Sequence, residues 1–171
     1  LKYYHPRAFY VGLLNNQPMG FWTPAVLAAD AKRHGIKTLP IDLRVSDVKC
    51  TVENQAIRLG FNYLKNLGKE GGARIVNARE ERPFRDLIDF CQRTNLPRRA
   101  VENLILVGAM DHWNIARRNL LWEFGKLRYP IIELNLPTPD EMVDLPTLTP
   151  EEAMYLEYSI LGLSPTMHPI E

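Results

Sequence analysis

Residues 61–76 constrain the fold more than any other stretch of this 171-residue chain. They read FNYLKNLGKEGGARIV. A helix-forming segment leads to a glycine, and a second helix-forming segment begins within two or three residues of that glycine. Gly68 has no Cβ, so its backbone readily adopts the conformations that a tight reversal needs. The stretch therefore predicts a short helix that ends at a turn containing Gly68, and a second helix that begins directly after it.

This order is typical of a helix-hairpin-helix motif, in which a small residue (here Ala73) and an apolar pair mark the contact between the two helices. Gly68 lets the backbone approach a phosphate, and the free N–H groups of the following helix, with its dipole, form an anion site. Such contacts hold the sugar-phosphate backbone and carry no base information. The candidate DNA-binding residues of this stretch are Lys65, Asn66, Leu67, Gly68, Lys69, Gly71, Gly72 and Arg74.

A purely structural turn is the alternative interpretation, because two helices that meet at a glycine are common in helical bundles. The usual hairpin also favours glycine two positions before Gly68, where this chain has Asn66. Asparagine tolerates the left-handed conformation best after glycine, so we expect the turn to be kept. The motif alone leaves phosphate binding and a structural turn both open.

A second helix pair is predicted directly afterwards, over residues 84–93 and 97–107. Its connection, Thr94-Asn95-Leu96-Pro97-Arg98-Arg99, contains no glycine. Arg93, Arg98 and Arg99 are placed to meet phosphate at the start of the second helix. A solvated loop explains the same residues equally well.

The formal net charge of +1 conceals a strong asymmetry along the chain. Residues 1–64 carry +4, residues 65–128 carry +5, and residues 129–171 carry −8. A basic body with an acidic tail favours an anionic partner for the body. A solvated surface of mixed charge remains the alternative, and charge alone does not decide between the two.

Several classes of function find no support in the sequence. No apolar run approaches the length of about 18 residues that a membrane span requires, and no signal peptide is recognisable. Cys50 and Cys91 lie far apart without C-x-x-C spacing, which predicts two reduced structural thiols. The four histidines are isolated, so no zinc site is expected, and neither a Walker phosphate loop nor a G-x-S-x-G elbow is present.

The predicted fold class is mainly α with a small β-hairpin: a tandem core of helix-hairpin-helix type and an extended acidic C-terminal tail. Two helices over 7–15 and 25–34 give residues 1–47 a helical character. Thr23-Pro24 marks the start of the second helix, and Gly35 is its left-handed stop. The hairpin occupies 48–61. Residues 62–128 form the predicted DNA-binding region, with a last helix over 114–124. Residues 129–171 contain a proline-rich linker and a final helix that starts at the capping box of Thr149 and Glu152.

With the hairpin placed, the surrounding residues resemble one family along almost the whole chain. It is the bacterial DNA polymerase III alpha subunits (C-family polymerases), and the resemblance is closest to their error-prone branch. The matching segments of the fingers are Tyr4-His5-Pro6 with Phe9, Leu14-Asn15-Asn16-Gln17-Pro18-Met19-Gly20-Phe21 and Ala31-Lys32-Arg33-His34-Gly35-Ile36. Further matches are Ile57-Arg58-Leu59-Gly60, Leu64-Lys65-Asn66-Leu67-Gly68, Arg82-Pro83-Phe84 with Leu87, Asp89 and Phe90, Leu96-Pro97-Arg98-Arg99-Ala100 with Glu102 and Leu104, Gly108-Ala109-Met110-Asp111, Leu161-Gly162-Leu163-Ser164 and His168-Pro169.

The resemblance implies that the chain belongs to a longer, cytoplasmic DNA-directed DNA polymerase that acts in replication or translesion repair. Because the first residue is Leu1, we expect a fragment from the distal fingers to a point just before the oligonucleotide-binding barrel. The family's Mg²⁺ is held by palm aspartates that nothing here matches. Asp86 and Asp89 are interpreted as solvated carboxylates on a helix, so the fragment is expected to contain no catalytic residue, metal or cofactor and to be inactive alone.

The partners that the resemblance implies are duplex or primer-template DNA and, through the linker, the sliding clamp. A clamp-docking motif of the family corresponds to residues 132–137, with Glu133, Leu134 and Leu136 as the candidate contacts. Glu133 replaces the usual glutamine, and the terminal aromatic residue is lacking. The rival function is a protein-interaction module that docks the clamp or accessory proteins, with a hairpin that is only structural. A glycosylase of helix-hairpin-helix type ranks third, and a salt titration of duplex binding separates the first two.

Overall fold

The computed structural model describes residues 2–127 and 146–165. Within those residues the chain forms seven α-helices and one three-stranded sheet, which confirms the predicted mainly α fold. The helices are α1 (Pro6–Asn15), α2 (Pro24–Arg33), α3 (Gly68–Glu81), α4 (Leu87–Thr94), α5 (Arg98–Leu106), α6 (Arg117–Lys126) and α7 (Pro150–Leu161). The strands are β1 (Thr38–Leu39), β2 (Thr51–Glu53) and β3 (Ala56–Arg58). None of the described helices is long and apolar enough to cross a membrane.

The first two helices pack on each other, and the second begins and ends where its sequence signals predict. Thr23 caps α2, since its side chain accepts a hydrogen bond from the Val26 N–H at 3.3 Å, and Pro24 occupies the first helical turn. Gly35 ends this segment in the left-handed conformation, with φ at +74°. Tyr10 of α1 and Leu27 of α2 are buried in the interface.

The predicted hairpin is present but shorter than residues 48–61. β2 and β3 pair antiparallel around Asn54 and Gln55, which both have positive φ angles. β1 was not predicted, and it pairs in parallel with β3 to give the order β1-β3-β2. A strand of two residues is too short to show an alternating apolar pattern in the sequence. β1 forms because the backbone of β3 lies beside it.

Gly60 brings the sheet against the segment that leads to α3. A Cβ on Gly60 would lie only 2.3 Å from the carbonyl carbon of Lys49 and 2.6 Å from the Cys50 nitrogen. The backbones therefore approach more closely than any other residue allows. After this contact the predicted short helix is present as a 3₁₀ turn over Phe61–Tyr63.

The prediction that Pro83 starts the next helix was wrong. α4 begins at Leu87, because the Asp86 side chain caps it by accepting a hydrogen bond from the Asp89 N–H at 2.8 Å. The last helix of the body also starts later than predicted, at Arg117 instead of Asn114. Asn114 has a φ of +57° and cannot continue a right-handed helix.

The interpretation of Asp89 as a solvated carboxylate was also wrong. Only 5% of its surface is exposed, and its oxygens lie 2.7 Å from the Arg82 guanidinium and 3.4 Å from that of Arg93. A hydrogen bond from the Arg85 N–H, together with these arginines, lowers the pKa of Asp89. Helical spacing could not show this environment, because Arg82 and Arg85 belong to the loop before α4.

The described part of the predicted tail packs against the body. The capping box of α7 is complete: Thr149 accepts from the Glu152 N–H, and Glu152 accepts from the Thr149 N–H. Ile160, Leu161 and Leu163 are buried, and α7 contacts α5. α7 is thus part of the core, while nearly all of the predicted linker (129–146) lies outside the described residues.

Candidate nucleic-acid interface

The first hairpin turn, residues 64–68, joins the 3₁₀ turn to α3. Asn66 and Gly68 both adopt the left-handed conformation, with φ angles of +67° and +68°. The expectation that Asn66 keeps the turn in place of glycine is therefore confirmed. Leu67 is buried beneath the turn, whereas Asn66 and Gly68 are exposed.

The N-terminus of α3 opens toward solvent without a side-chain cap. Its N-cap position is occupied by Leu67, whose side chain has no oxygen that could accept a hydrogen bond from the first turn. The first N–H groups of a helix need an outside partner, and they carry the positive end of the helix dipole. Nothing lies within 4 Å of the position that a Cβ of Gly68 would take. An anion therefore has room to reach these N–H groups.

The second hairpin turn, residues 95–97, joins α4 to α5 and has the same character without a glycine. Asn95 takes the left-handed conformation instead, with φ at +45°. α5 also begins without a side-chain cap, because its N-cap residue is Pro97. Arg99 is exposed at the start of this helix.

The two turns are neighbours in space. The Arg74 guanidinium of α3 donates to the Asn95 carbonyl oxygen at 3.3 Å. A Cβ on Gly71 would lie 2.6 Å from the Leu67 Cδ1 of the first turn and 3.3 Å from the Leu96 Cδ2 of the second. The absence of a side chain at Gly71 thus lets both turns meet over α3.

Gly71 and Gly72 are buried, so their role in the candidate site is to allow close packing. A Cβ on Gly72 would approach the Phe61 Cβ to 3.1 Å and the Val48 methyl groups to 3.6 Å. The glycine keeps α3 close to the 3₁₀ turn, and this closeness sets the direction in which the helix N-terminus points.

The predicted cations divide into two groups. Lys69 and Arg99 are exposed, and neither side chain has a hydrogen bond or ion pair among residues 2–127 and 146–165. Lys65 donates to the Ser159 carbonyl of α7 at 2.5 Å. Arg98 pairs with Glu102 at 2.7 Å and lies over the Phe124 ring. Arg93, the third arginine of the second pair, is bound to Asp89 and to the carbonyl of Arg82, away from the turn.

Asn103 supports the first turn and was missed in the sequence. It lies on α5 and is buried, and its Nδ2 donates to the Lys65 carbonyl oxygen at 2.9 Å. The only available signal was an amide side chain between the apolar residues Val101 and Leu104 of a core helix. A buried amide generally has a specific partner, but its identity depends on the tertiary fold.

No metal site is formed by the residues that the structure describes: no three histidine, cysteine, aspartate or glutamate side chains are grouped there. The magnesium that the resemblance implies for the whole polymerase has no donor set among them. Cys50 and Cys91 are free thiols, and burial raises the pKa of each to about 11. Glu133, Leu134 and Leu136, the candidate clamp contacts, lie outside the described residues.

Comparison with known proteins agrees with this geometry. A family model described as "Helix-hairpin-helix motif" matches residues 35–120, half of the chain. This chain belongs to the helix-hairpin-helix family. The match begins at the end of α2 and includes the sheet and both hairpin turns.

The helix-hairpin-helix chain is also similar to proteins named error-prone DNA polymerase. It is 44% identical to that of Corynebacterium diphtheriae over 124 residues, which is 72% of this chain and 12% of the relative. It is 34% identical to that of Teredinibacter turnerae over 179 residues and 36% identical to that of Pseudomonas syringae pv. syringae over 181 residues. Those two matches cover 99% of this chain and 17% and 18% of the relatives. The predicted resemblance to the error-prone branch is confirmed, and the chain spans less than a fifth of these relatives.

Proposed function

We propose that this chain binds duplex DNA through its sugar-phosphate backbone, without sequence preference, as one region of a longer error-prone DNA polymerase. The observation that carries the proposal is the pair of adjacent turns before α3 and α5, each followed by a helix N-terminus that no side chain caps. Phosphate is the anion that such N–H groups suit.

The geometry holds two of the expected phosphate contacts, one at each helix N-terminus, at a fixed separation. Gly71 and the hydrogen bond from Arg74 to Asn95 lock the turns to each other. Lys69 and Arg99 stand beside the two helix N-termini, and neither side chain forms an ion pair or hydrogen bond among the described residues. Because phosphates are alike at every base pair, these contacts fix position on DNA and do not read sequence.

The chemistry of synthesis belongs to other regions of the longer protein in this proposal. Its relatives carry the name of a polymerase, and this chain would hold the duplex for palm residues outside it. Replication or repair synthesis in the cytoplasm is the setting that follows. This chain by itself should not extend a primer in the presence of Mg²⁺ and the four deoxynucleotides. Clamp binding through Glu133, Leu134 and Leu136 stays a prediction.

A salt titration of duplex binding tests the proposal. Fluorescence anisotropy with two labelled duplexes of unrelated sequence should give equal affinities at every salt concentration. The log–log slope should be about −3 to −5, because each neutralised phosphate contributes about −0.9 and three to five contacts are expected. A slope near zero, or a strong preference for one sequence, would instead favour the protein-interaction module with a structural hairpin.

A further inference from the structure

An open cleft of about 330 Å³ lies between α2, β1 and the C-terminal end of α7. Ala25, Ala28 and Ala29 line it from α2, where their spacing places them on one face of the helix. Tyr158 of α7 and Leu163, just beyond that helix, line another wall. The volume is within the range of sites that bind a ligand, and small alanine side chains keep the space open.

β1 forms a further side of the cleft, and it is an edge strand of the sheet. In the order β1-β3-β2 it pairs, among the described strands, with β3 alone. The carbonyl oxygens of Lys37 and Leu39 accept hydrogen bonds from β3 at 2.8 and 3.1 Å. Backbone groups of successive residues point to opposite sides of a strand, so the N–H and C=O of Thr38 point away from β3. Thr38 lines the cleft, and these two groups offer an edge on which another strand can pair.

The side chains at this edge are cationic. Lys32 and Lys37 line the cleft, and no aspartate or glutamate lines it in the described part of the chain. Residues 31–41 contain three lysines and arginines and no carboxylate. Arg33 and Lys37 are exposed, and neither side chain forms a hydrogen bond or ion pair within residues 2–127 and 146–165. The potential at the cleft therefore favours an acidic ligand.

Glu157 does not cancel this charge at the cleft, although it neighbours Tyr158 on α7. Only 1% of its surface is exposed, and it is not one of the residues that line the cleft. The Ser164 hydroxyl, which belongs to the wall, donates to the Glu157 carboxylate at 2.5 Å. The carboxylate thus lies behind the wall and is not presented to a ligand.

We propose that the cleft binds an extended acidic peptide of a partner protein, which adds as a strand to β1 at Thr38. In this mode of recognition, main-chain hydrogen bonds give affinity, and pockets for alternate side chains give specificity. Apolar side chains of the peptide pack against the alanines of α2 and Leu163, and its carboxylates lie near Lys32 and Lys37. A nucleic-acid strand has no N–H and C=O groups at the spacing of a β-strand, so it cannot use the edge.

This proposal does not depend on the duplex-binding function, because no residue of either hairpin turn lines the cleft. Gly68→Val, which changes the first turn, should leave peptide affinity within about twofold of that of the parent chain. Thr38→Pro, which changes the strand edge, should leave duplex affinity equally unchanged. A failure of one proposal is therefore distinguishable from a failure of the other.

Fluorescence anisotropy of the full chain with a labelled peptide, in which aspartate and leucine alternate, tests the site. Thr38→Pro and Thr38→Val are a matched pair, since proline removes the outward N–H and valine keeps it. Proline is tolerated in an edge strand where the N–H is outside the ladder, so circular dichroism of both variants should remain native. Thr38→Pro should bind the peptide about tenfold more weakly than Thr38→Val, because a peptide carbonyl loses its hydrogen bond.

Lys37→Glu tests the charge at the same edge. It should weaken binding of the acidic peptide about fivefold at 0.1 M salt, and the loss should shrink at about 1 M salt, where ions screen the charge. A second peptide with lysine in place of aspartate should bind more weakly to the parent chain than the acidic peptide does. It should bind better to Lys37→Glu than to the parent chain.

Three results would overturn the proposal. One is an acidic peptide that does not bind the parent chain or that binds Thr38→Pro and Thr38→Val equally. Another is displacement of the bound peptide by oligo-dT, which would make the cleft a general anion site. The third is a dimer of the parent chain, seen in sedimentation, that Thr38→Pro dissociates and Thr38→Val does not. In that case the β1 edge joins two copies of the chain.

Discussion

The first and second hairpin turns reach the same backbone conformation from different sequences. The first uses Asn66 and Gly68, and the second uses Asn95 alone, yet each has a left-handed residue within three residues of the start of an uncapped helix. Glycine is therefore not the only way to build such a turn in this chain. Asparagine replaces it where a single residue must be left-handed.

The two turns differ in what they leave available to a phosphate. At the first, the backbone around Gly68 is open, while Lys65 is bound to α7. At the second, Arg98 pairs with Glu102 and lies over the Phe124 ring. Arg99 has no such partner among the described residues, so its charge stays available to a phosphate. We infer that both turns offer helix N–H groups, and that the first adds the open backbone of Gly68 and the charge of Lys69, whereas the second adds the charge of Arg99 alone. The predictions below test that division.

Gly68→Val should have the largest effect on duplex affinity. A β-branched residue is strained at a φ of +68°, so the turn must shift and misplace the N–H groups of α3. Hydrogen bonds to a charged group contribute about 1.5–3 kcal/mol, so we expect affinity to fall by about tenfold or more. Far-ultraviolet circular dichroism should remain native.

Gly35→Val is the control for Gly68→Val. Gly35 also has a positive φ, at +74°, and open space around it, but it lies at the end of α2. Both variants should lose a similar amount of stability, about 1–2 kcal/mol. If both also lost the same duplex affinity, strain and not phosphate contact would be the cause.

Lys69→Ala and Arg99→Ala compare one charge from each turn. Each should weaken duplex binding about fivefold at 0.1 M salt and make the log–log salt slope less steep by about 0.9. In the double variant, the two losses of duplex affinity and the two reductions of the salt slope should add. Arg44→Ala removes an exposed charge beside the C-terminal half of α3 and should change neither quantity. Equal effects of all three single variants would mean that only net charge matters.

Asn103→Leu should have a smaller effect, through the position of the first turn. It removes the hydrogen bond to the Lys65 carbonyl oxygen without burying a new charge. We expect about a threefold loss of duplex affinity with an unchanged salt slope, because only part of the about 1 kcal/mol that the bond contributes to the turn is passed on to DNA binding. Thr94→Val is the control: it removes a buried hydroxyl that donates to Phe90 within α4. If Thr94→Val weakened DNA binding as much, Asn103 would have no specific role at the turn.

Asp89→Asn should leave duplex affinity unchanged and alter the pH dependence of stability. The Arg85 N–H and the neighbouring arginines hold the pKa of Asp89 below its ordinary value. The carboxylate therefore stabilises the fold fully above the ordinary pKa of about 4, and this contribution is lost as pH falls through the lower folded-state pKa. Thermal melts at pH 7 should show a lower melting temperature for Asp89→Asn. The difference should narrow below about pH 4, and a difference independent of pH would contradict this account.

Predictions that rest on interactions within a few residues were the most accurate. Thr23 with Pro24, Gly35 and the capping box of α7 are all found where the sequence places them. Each depends on hydrogen bonds between a side chain or backbone group and its near neighbours, so the surrounding fold changes them little. The resemblance along almost the whole chain indicated the error-prone polymerase branch, which no single motif could indicate.

Errors occurred where residues outside the element itself decide the outcome. β1 requires β3 as its partner. The burial of Asp89 depends on Arg82 and Arg85 of the preceding loop as well as on Arg93, one helical turn later. Only the pair of Asp89 with Arg93 follows the helical period, and that period does not show that the carboxylate is buried.

The chemistry of the turns is local: Asn66 and Gly68 lie in the first, Asn95 lies in the second, and cations stand beside both. Packing of the whole chain brings the turns together over Gly71, bonds Lys65 to α7, and places Asn103 beneath the first turn. The reason is physical. Backbone conformation at a turn follows from the steric limits of the residue itself, whereas the availability of a charge depends on which distant groups the packed core brings beside it.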